Sequence, residues 1–212
     1  MDTKKQIAEI LRRLKKEYNG KLRTALSFST PFELLAATIL SAQTTDVQVN
    51  KVTATLFEKY RTIEDFANTT PEKLAKDVAS VNFYKNKAKN INNTAKMIMK
   101  EFGGNVPKTM EELVMLPGVA RKTANIVLSS AFGRNEGIAV DTHVKRLAYR
   151  LGLTKHDDPV KIENDLMPNT PRKEWGNLSL LLIFHGRAVC RAKKPNHGGC
   201  VLFDICPSRN IR

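Results

Sequence analysis

A helix start signal recurs along this chain and constrains its fold more than any other feature. A capping residue stands directly before proline at Thr30-Pro31, Thr70-Pro71, Asp158-Pro159 and Thr170-Pro171. Proline's fixed φ suits the first helical position, where its missing N–H is no loss, and the preceding oxygen can accept an unpaired amide of the first turn. Glu33 lies three residues beyond Thr30 and completes a capping box, and Thr109 with Glu112 repeats that box without proline. Ile7, Ile10, Leu11 and Leu14 form an apolar stripe at helical spacing among lysines and arginines. No run alternates as a strand should; Ile138-Ala139-Val140 is β-prone but short and isolated. The pattern predicts an all-α chain of about ten helices with short loops. The 212 residues suffice for one large domain or two modest ones. With no Gly/Ser-rich linker, any domain boundary must fall between packed helices.

Charge narrows the partners. Thirty-five Lys and Arg against 21 Asp and Glu leave a net charge of +14, which favours a polyanion, and nucleic acid is the commonest one inside a cell. The apolar run Leu180 to Phe184 is far too short to span a bilayer, and the charged N-terminus does not read as a secretory signal, so no membrane partner and an intracellular location are expected. The three cysteines, Cys190, Cys200 and Cys206, all fall in the last 23 positions. Random placement would do this about once in a thousand chains. A reducing interior disfavours disulfides, so metal or iron–sulfur ligation is the leading explanation.

The most telling segment is Leu116-Pro117-Gly118-Val119-Ala120-Arg121-Lys122-Thr123-Ala124. A capped helix from about Thr109 to Met115 runs into it. A second helix, Arg121 to Phe132, leaves it and stops at Gly133. Two helices joined by a tight Pro-Gly turn make a helix–hairpin–helix, whose free amides suit a phosphate without reading sequence. An ordinary αα-hairpin with a glycine turn is the plain alternative. Arg121 and Lys122 at the opening of the second helix, the capped first helix, and Asp141 shortly downstream shift the balance toward DNA.

Leu116 through Asn125, followed by Val140-Asp141-Thr142-His143, resembles the endonuclease III family of DNA glycosylases. Ser41-Ala42-Gln43-Thr44-Thr45-Asp46 and His185-Gly186-Arg187-x-x-Cys190 match the same family. The resemblance covers about Phe28 to Cys206, with four separated motifs in family order. It implies Lys122 as nucleophile and Asp141 as its partner. It also implies a two-lobed helix–hairpin–helix glycosylase fold: a six-helix bundle at 24–135 with the hairpin at about 109–132, and a cluster domain from the N- and C-terminal helices, 1–23 and 136–212, with a loop at 190–206. The substrate cleft is expected between the lobes, and the protein is expected to be a monomer in the cytoplasm or nucleoid. Ala120 departs from the family's usual glycine; Gly118 remains, so a tolerable adjustment of the hairpin is expected. Gly118, Ala120 and Arg121 are expected to meet DNA phosphates.

The chemistry is coherent on its own terms. Breaking an N-glycosidic bond builds oxocarbenium character at C1′, which a carboxylate such as Asp141 can stabilise. An amine can attack C1′ and hold the sugar as a Schiff base. The imine acidifies the C2′ proton, whose loss expels the 3′ phosphate. Burial of Lys122 would favour the neutral amine and Asp141 would oppose it. The implied activity is removal of oxidised pyrimidines from duplex DNA, then β-elimination at the abasic site. The alternatives are a monofunctional glycosylase for mismatched or other bases on the same fold, and a non-catalytic hairpin module that binds DNA.

In the family's cysteine loop, a 4Fe-4S cluster is held by C-x6-C-x2-C-x5-C. This chain has Cys190-x6-His197-x2-Cys200-x5-Cys206, with histidine at the second position. A 4Fe-4S cluster with His197 as fourth ligand is the first choice; a three-cysteine site, such as 3Fe-4S, and zinc on three cysteines and histidine follow. Arg191, Lys193 and Lys194 lie between the first two ligand positions and could grip phosphates. A base stacked in a duplex must be rotated out and its gap filled. The resemblance assigns Gln43 as filler and Phe83, in Asn82-Phe83-Tyr84, as a second, apolar wedge. Asp46 and His143 are expected to support the pocket.

Overall fold

The computed structural model describes residues 2–19 and 23–210; the parts of the expected N- and C-terminal segments at 1, 20–22 and 211–212 lie outside the described residues. Among the described residues there are eleven α-helices, four short 3-10 turns and no strand. The chain divides into two compact units, Thr24–Arg134 and Met1–Arg23 with Asn135–Arg212.

The unit Thr24–Arg134 contains α2 (Pro31–Ser41), α3 (Asp46–Lys59), α4 (Ile63–Asn68), α5 (Pro71–Asp77), α6 (Tyr84–Glu101), α7 (Met110–Leu113) and α8 (Arg121–Phe132). These are seven helical segments where about six were expected, α7 being a single turn. α6 packs against α2, α4 and α5, while α2 packs against α3 and α8. The core runs from Phe32, Leu34 and Leu35 through Phe66, Leu74, Ile91 and Ile98 to Val127 and Leu128. The cap signals work locally. Thr30, Thr45, Thr62, Thr70 and Thr109 each accept the amide three residues on. The reciprocal half of the box slips at two places. Glu33 accepts from the Ser29 amide at 2.5 Å, one residue before the cap, and Glu112 accepts from the Thr109 hydroxyl at 2.8 Å. The full box forms at Thr62 and Asp65, where sequence reading singled out nothing.

The other unit contains α1 (Thr3–Glu17), α9 (Thr142–Arg150), α10 (Pro159–Leu166) and α11 (Trp175–Ala188). The stripe Ile7, Ile10, Leu11 and Leu14 is buried, and α1 packs against α11. Each fully buried Ile or Leu contributes about 1.5–3 kcal/mol relative to exposure. α11 also packs on α9, and an added Cβ at Gly186 would lie 3.1 Å from Arg146 and from His143. No helix among the described residues is long and apolar enough to cross a membrane. One start signal fails. Thr170 donates its hydroxyl back to the Leu166 carbonyl at 2.8 Å, closing the preceding turn, so it does not cap the next helix. Pro171 then leads into a 3-10 turn, Arg172–Glu174, before α11 begins at Trp175.

Arg13 connects α1 to the chain's end, donating to the Val201 carbonyl at 2.9 Å and to the Asp204 carboxylate. Its neighbour in the network is Glu9, whose carboxyl is pulled from 4.5 down to about 2 by hydrogen bonds from Arg12 and then Arg13. A carboxyl lowered in the folded state contributes stability above its unfolded value and loses it as pH falls through the folded one. Glu9→Gln should therefore lower the urea midpoint above pH 4.5, and the gap from wild type should close as pH falls toward about 2. A gap that stays constant across that window would show that the carboxylate's charge is not what Glu9 contributes.

Candidate functional site

The hairpin begins where α7 ends. Gly118 has φ 78, a conformation open to glycine, and an added Cβ there would lie 2.7 Å from Asn90 Nδ2. The Thr94 hydroxyl, buried on α6, donates 2.9 Å to the Pro117 carbonyl and anchors the turn. α8 starts at Arg121 and ends at Gly133 in the left-handed region, matching the expected bounds. Its N-cap is Ala120, at φ −88 and ψ 166, with no side-chain cap. That negative φ is open to any residue, so alanine here strains nothing. Arg121 and Lys122, the first two residues of α8, are exposed.

Gln43 and Phe83 lie in the same unit. Both are exposed, and both adopt positive φ, 55 and 57. Asn82 ties them together: its Nδ2 donates 2.5 Å to the Gln43 carbonyl, and its amide donates 3.2 Å to Thr44 Oγ1. Phe83 is 63% exposed, so it is not part of the core. Asp46 is the first residue of α3, after the Thr45 cap.

Asp141 is the N-cap of α9. Its Oδ1 accepts the amides of His143 and Val144, each at 2.8 Å, which fixes the carboxylate and leaves Oδ2 engaged by neither. Lys122 belongs to the first unit and Asp141 to the second. His143 Nδ1 lies 3.1 Å from the Arg146 guanidinium.

Cys190, His197, Cys200 and Cys206 line one small cavity of about 30 Å³. The three cysteines are free thiols. Burial, then the other sulfurs, pushes the Cys200 thiol up; burial does the same for Cys206. No group of three or more His, Cys, Asp or Glu poised to hold a metal ion is found among the described residues. As a donor set facing one cavity, three thiols and an imidazole suit an iron–sulfur group. Sequence reading missed the groups that shape this loop. Arg150 donates to the carbonyls of Arg191 and Ala192 and to Cys190 Sγ, and Arg146 donates to the carbonyls of Gly186 and Cys190. His185 is buried between the Tyr18 hydroxyl at 3.0 Å and Cys200 Sγ at 3.4 Å, and burial pushes its pKa down to about 4. A neutral ring serves both contacts, donating at one nitrogen and accepting at the other. Arg191, Lys193 and Lys194 are exposed on the loop.

Comparison with known proteins gives a consistent family. Residues 36–172 match the model of the HhH-GPD superfamily of base excision DNA repair proteins. The chain is 53% identical to endonuclease III of Synechocystis sp., over 98% of this chain and 95% of that one. It is 40% identical to endonuclease III of Escherichia coli, over 93% of each. Among solved structures it superposes on a trapped endonuclease III–DNA covalent intermediate with TM-score 0.92 and 44% identity, covering 99% of this chain and 98% of the other.

Gly118→Ala should cost about 1–2 kcal/mol of stability, because it forces a left-handed alanine against Asn90. It should also weaken binding to undamaged duplex. Wild-type stability and affinity together would mean the turn does not depend on Gly118. Thermal melts and fluorescence anisotropy decide it.

Proposed function

Because the chain belongs to the HhH-GPD superfamily of base excision DNA repair proteins, and within it to the endonuclease III enzymes, we propose that it removes oxidised pyrimidines from duplex DNA with Lys122 as nucleophile. Its activity is that of a bifunctional DNA glycosylase and abasic-site lyase in base excision repair. The observation that carries the residue assignment is Lys122 at the opening of α8 in a hairpin whose 44%-identical relative was trapped as a covalent DNA intermediate. An enzyme with this substrate would act on chromosomal DNA, in the cytoplasm or nucleoid.

The Lys122 amine attacks C1′ as the N-glycosidic bond breaks, and the bonding pair leaves with the base. The Asp141 carboxylate, held rigid by two α9 amides, faces the positive charge that builds at C1′. The sugar ring then opens: the C1′–O4′ bonding pair leaves on O4′, which takes up the proton lost from nitrogen, and the C1′=N imine forms; loss of the C2′ proton then expels the 3′ phosphate and nicks the strand. Gly118, Ala120 and Arg121 hold the phosphates of the flanking strand, and Gln43 and Phe83 fill the space of the departed base.

Cys190, His197, Cys200 and Cys206 would hold the 4Fe-4S cluster of the family, with His197 as the nitrogen ligand. The group supplies a structural tie, fixing a loop whose Arg191, Lys193 and Lys194 reach for phosphate. A monofunctional glycosylase or a non-catalytic hairpin module has no use for the pair Lys122 and Asp141.

Two experiments test these assignments. Borohydride should trap wild-type protein on abasic duplex; Lys122→Ala should abolish trapping and strand cleavage while keeping most DNA affinity. Asp141→Asn, which keeps an acceptor for the α9 amides, should fold normally yet slow base release by about 10²–10³-fold. Full lyase activity in Lys122→Ala, or near-normal release in Asp141→Asn, sinks the corresponding role. For the loop, anaerobically purified protein should be yellow-brown and contain iron and sulfide. Imidazole is released on protonation, so His197→Cys should resist acid and chelators better than wild type. Unchanged iron content, spectrum and acid lability in His197→Ala would remove His197 from the ligand set. Stoichiometric zinc without sulfide would overturn the iron–sulfur reading.

A further inference from the structure

We infer that Lys87 is a positioning residue that holds Gln43 and Phe83 as one preformed wedge for entry into duplex DNA. This rests on the reading above that Gln43 and Phe83 are the side chains that enter the duplex.

Lys87 lies in the first turn of α6 and is only 5% exposed. Its ammonium donates to the Leu40 carbonyl at 2.7 Å, the Ala42 carbonyl at 2.6 Å and Thr44 Oγ1 at 3.1 Å. An ammonium has three protons, and these acceptors use all three. None of them is a carboxylate. Taking a cation out of water against neutral partners is costly, and burial accordingly pushes its pKa down. Carbonyls at the C-terminal end of α2 recover part of that cost, since a helix C-terminus attracts positive charge.

Capping α2 accounts for the contacts to Leu40 and to the C-cap Ala42. It does not account for the contact to Thr44. Ala42 and Thr44 bracket Gln43, so the cation grips the chain on both sides of one residue. That residue has φ 55, a conformation that side chains other than glycine rarely adopt and that persists where the surroundings over-determine it. Asn82 then carries the grip across: it bonds the Gln43 carbonyl and Thr44 Oγ1, and the next residue is Phe83, itself at φ 57 and 63% exposed. Two strained, exposed residues on separate connections are thus joined by one set of hydrogen bonds centred on Lys87.

The physical use of this arrangement is preorganisation. A side chain that fills a gap in a base stack competes with the base falling back. If the loop must be ordered during that competition, the ordering entropy opposes insertion; if it is already ordered, it does not. The buried lysine bears its cost during folding, before DNA is met.

The test uses Lys87→Met, which keeps length and removes the charge, and Asn82→Ala, whose exposed side chain leaves the core intact. Each is measured for single-turnover excision from a stacked lesion duplex and for cleavage of a preformed abasic site. Fluorescence of 2-aminopurine opposite the lesion reports unstacking directly. Excision should fall more than abasic cleavage, the ratio dropping about tenfold in Lys87→Met, with slower growth of the fluorescence signal; Asn82→Ala should follow in the same direction. A loss shared equally by both reactions, with a normal fluorescence signal, would make Lys87 a packing residue and overturn the inference. Gln43→Ala and Phe83→Ala serve as references. If they lose unstacking while Lys87→Met and Asn82→Ala keep it, the clamp is wrong and the insertion reading stands. If they too unstack the duplex normally, the insertion reading fails and takes the clamp with it. Should Lys87→Met not fold, Asn82→Ala carries the same comparison alone.

Discussion

One face of α6 holds the hairpin turn and the turn bearing Gln43 in register. Lys87, Asn90 and Thr94 recur at helical spacing on that face. Lys87 takes the turn after α2, Asn90 closes against Gly118, and Thr94 anchors Pro117. Each contact satisfies or crowds backbone that is not part of a regular element, where unpaired buried polar groups would be costly. The same helix therefore sets both the hairpin and the turn bearing Gln43. Asn92, on a neighbouring face, does similar work for the α4–α5 connection through the carbonyls of Phe66 and Thr69.

The second unit solves a related problem with guanidinium groups. Arg146 and Arg150 stand one turn apart on α9, and between them they take the carbonyls of Gly186, Cys190, Arg191 and Ala192. Arg13 takes Val201 from α1. The planar fork of arginine, with five donors, suits several carbonyls at once. The loop that carries the three cysteines is thus tied to α9 and α1 by these hydrogen bonds. Its own cations, Arg191, Lys193 and Lys194, are exposed and are part of the net charge of +14.

What could be read from the sequence was what is decided locally. Thr30, Thr70 and Asp158 cap the helices that follow them because cap and amide lie within three residues. α8 runs from Arg121 to Phe132 because a Pro-Gly turn precedes it and Gly133 ends it. Thr170 misled because its hydroxyl had two local choices and the structure uses the backward one. Lys87, Arg146 and Arg150 carried no signal at all. A lysine that spans 47 positions to reach Leu40 looks in sequence like any other among many. The positive φ of Gln43 and Phe83 was equally hidden, since neither residue type advertises a left-handed turn.

Side-chain caps open most of the α-helices described, but α1, α6, α8 and α11 begin without one. α2, α3, α4, α5, α7, α9 and α10 all begin on a side-chain cap from Thr or Asp. α8 begins on Ala120, which can offer none. A Ser, Thr or Asp there would satisfy a first-turn amide and stabilise the helix by about 1 kcal/mol. It would also occupy the group a phosphate needs and, if Asp, repel it. The uncapped start of α8, a feature it shares with α1, α6 and α11, leaves its first-turn amides open where the proposed function places a phosphate. Asp141 is the complementary case. Its cap on α9 uses Oδ1 alone, so the bond that stabilises the helix also aims the carboxylate, and structure and chemistry do not compete for the same oxygen.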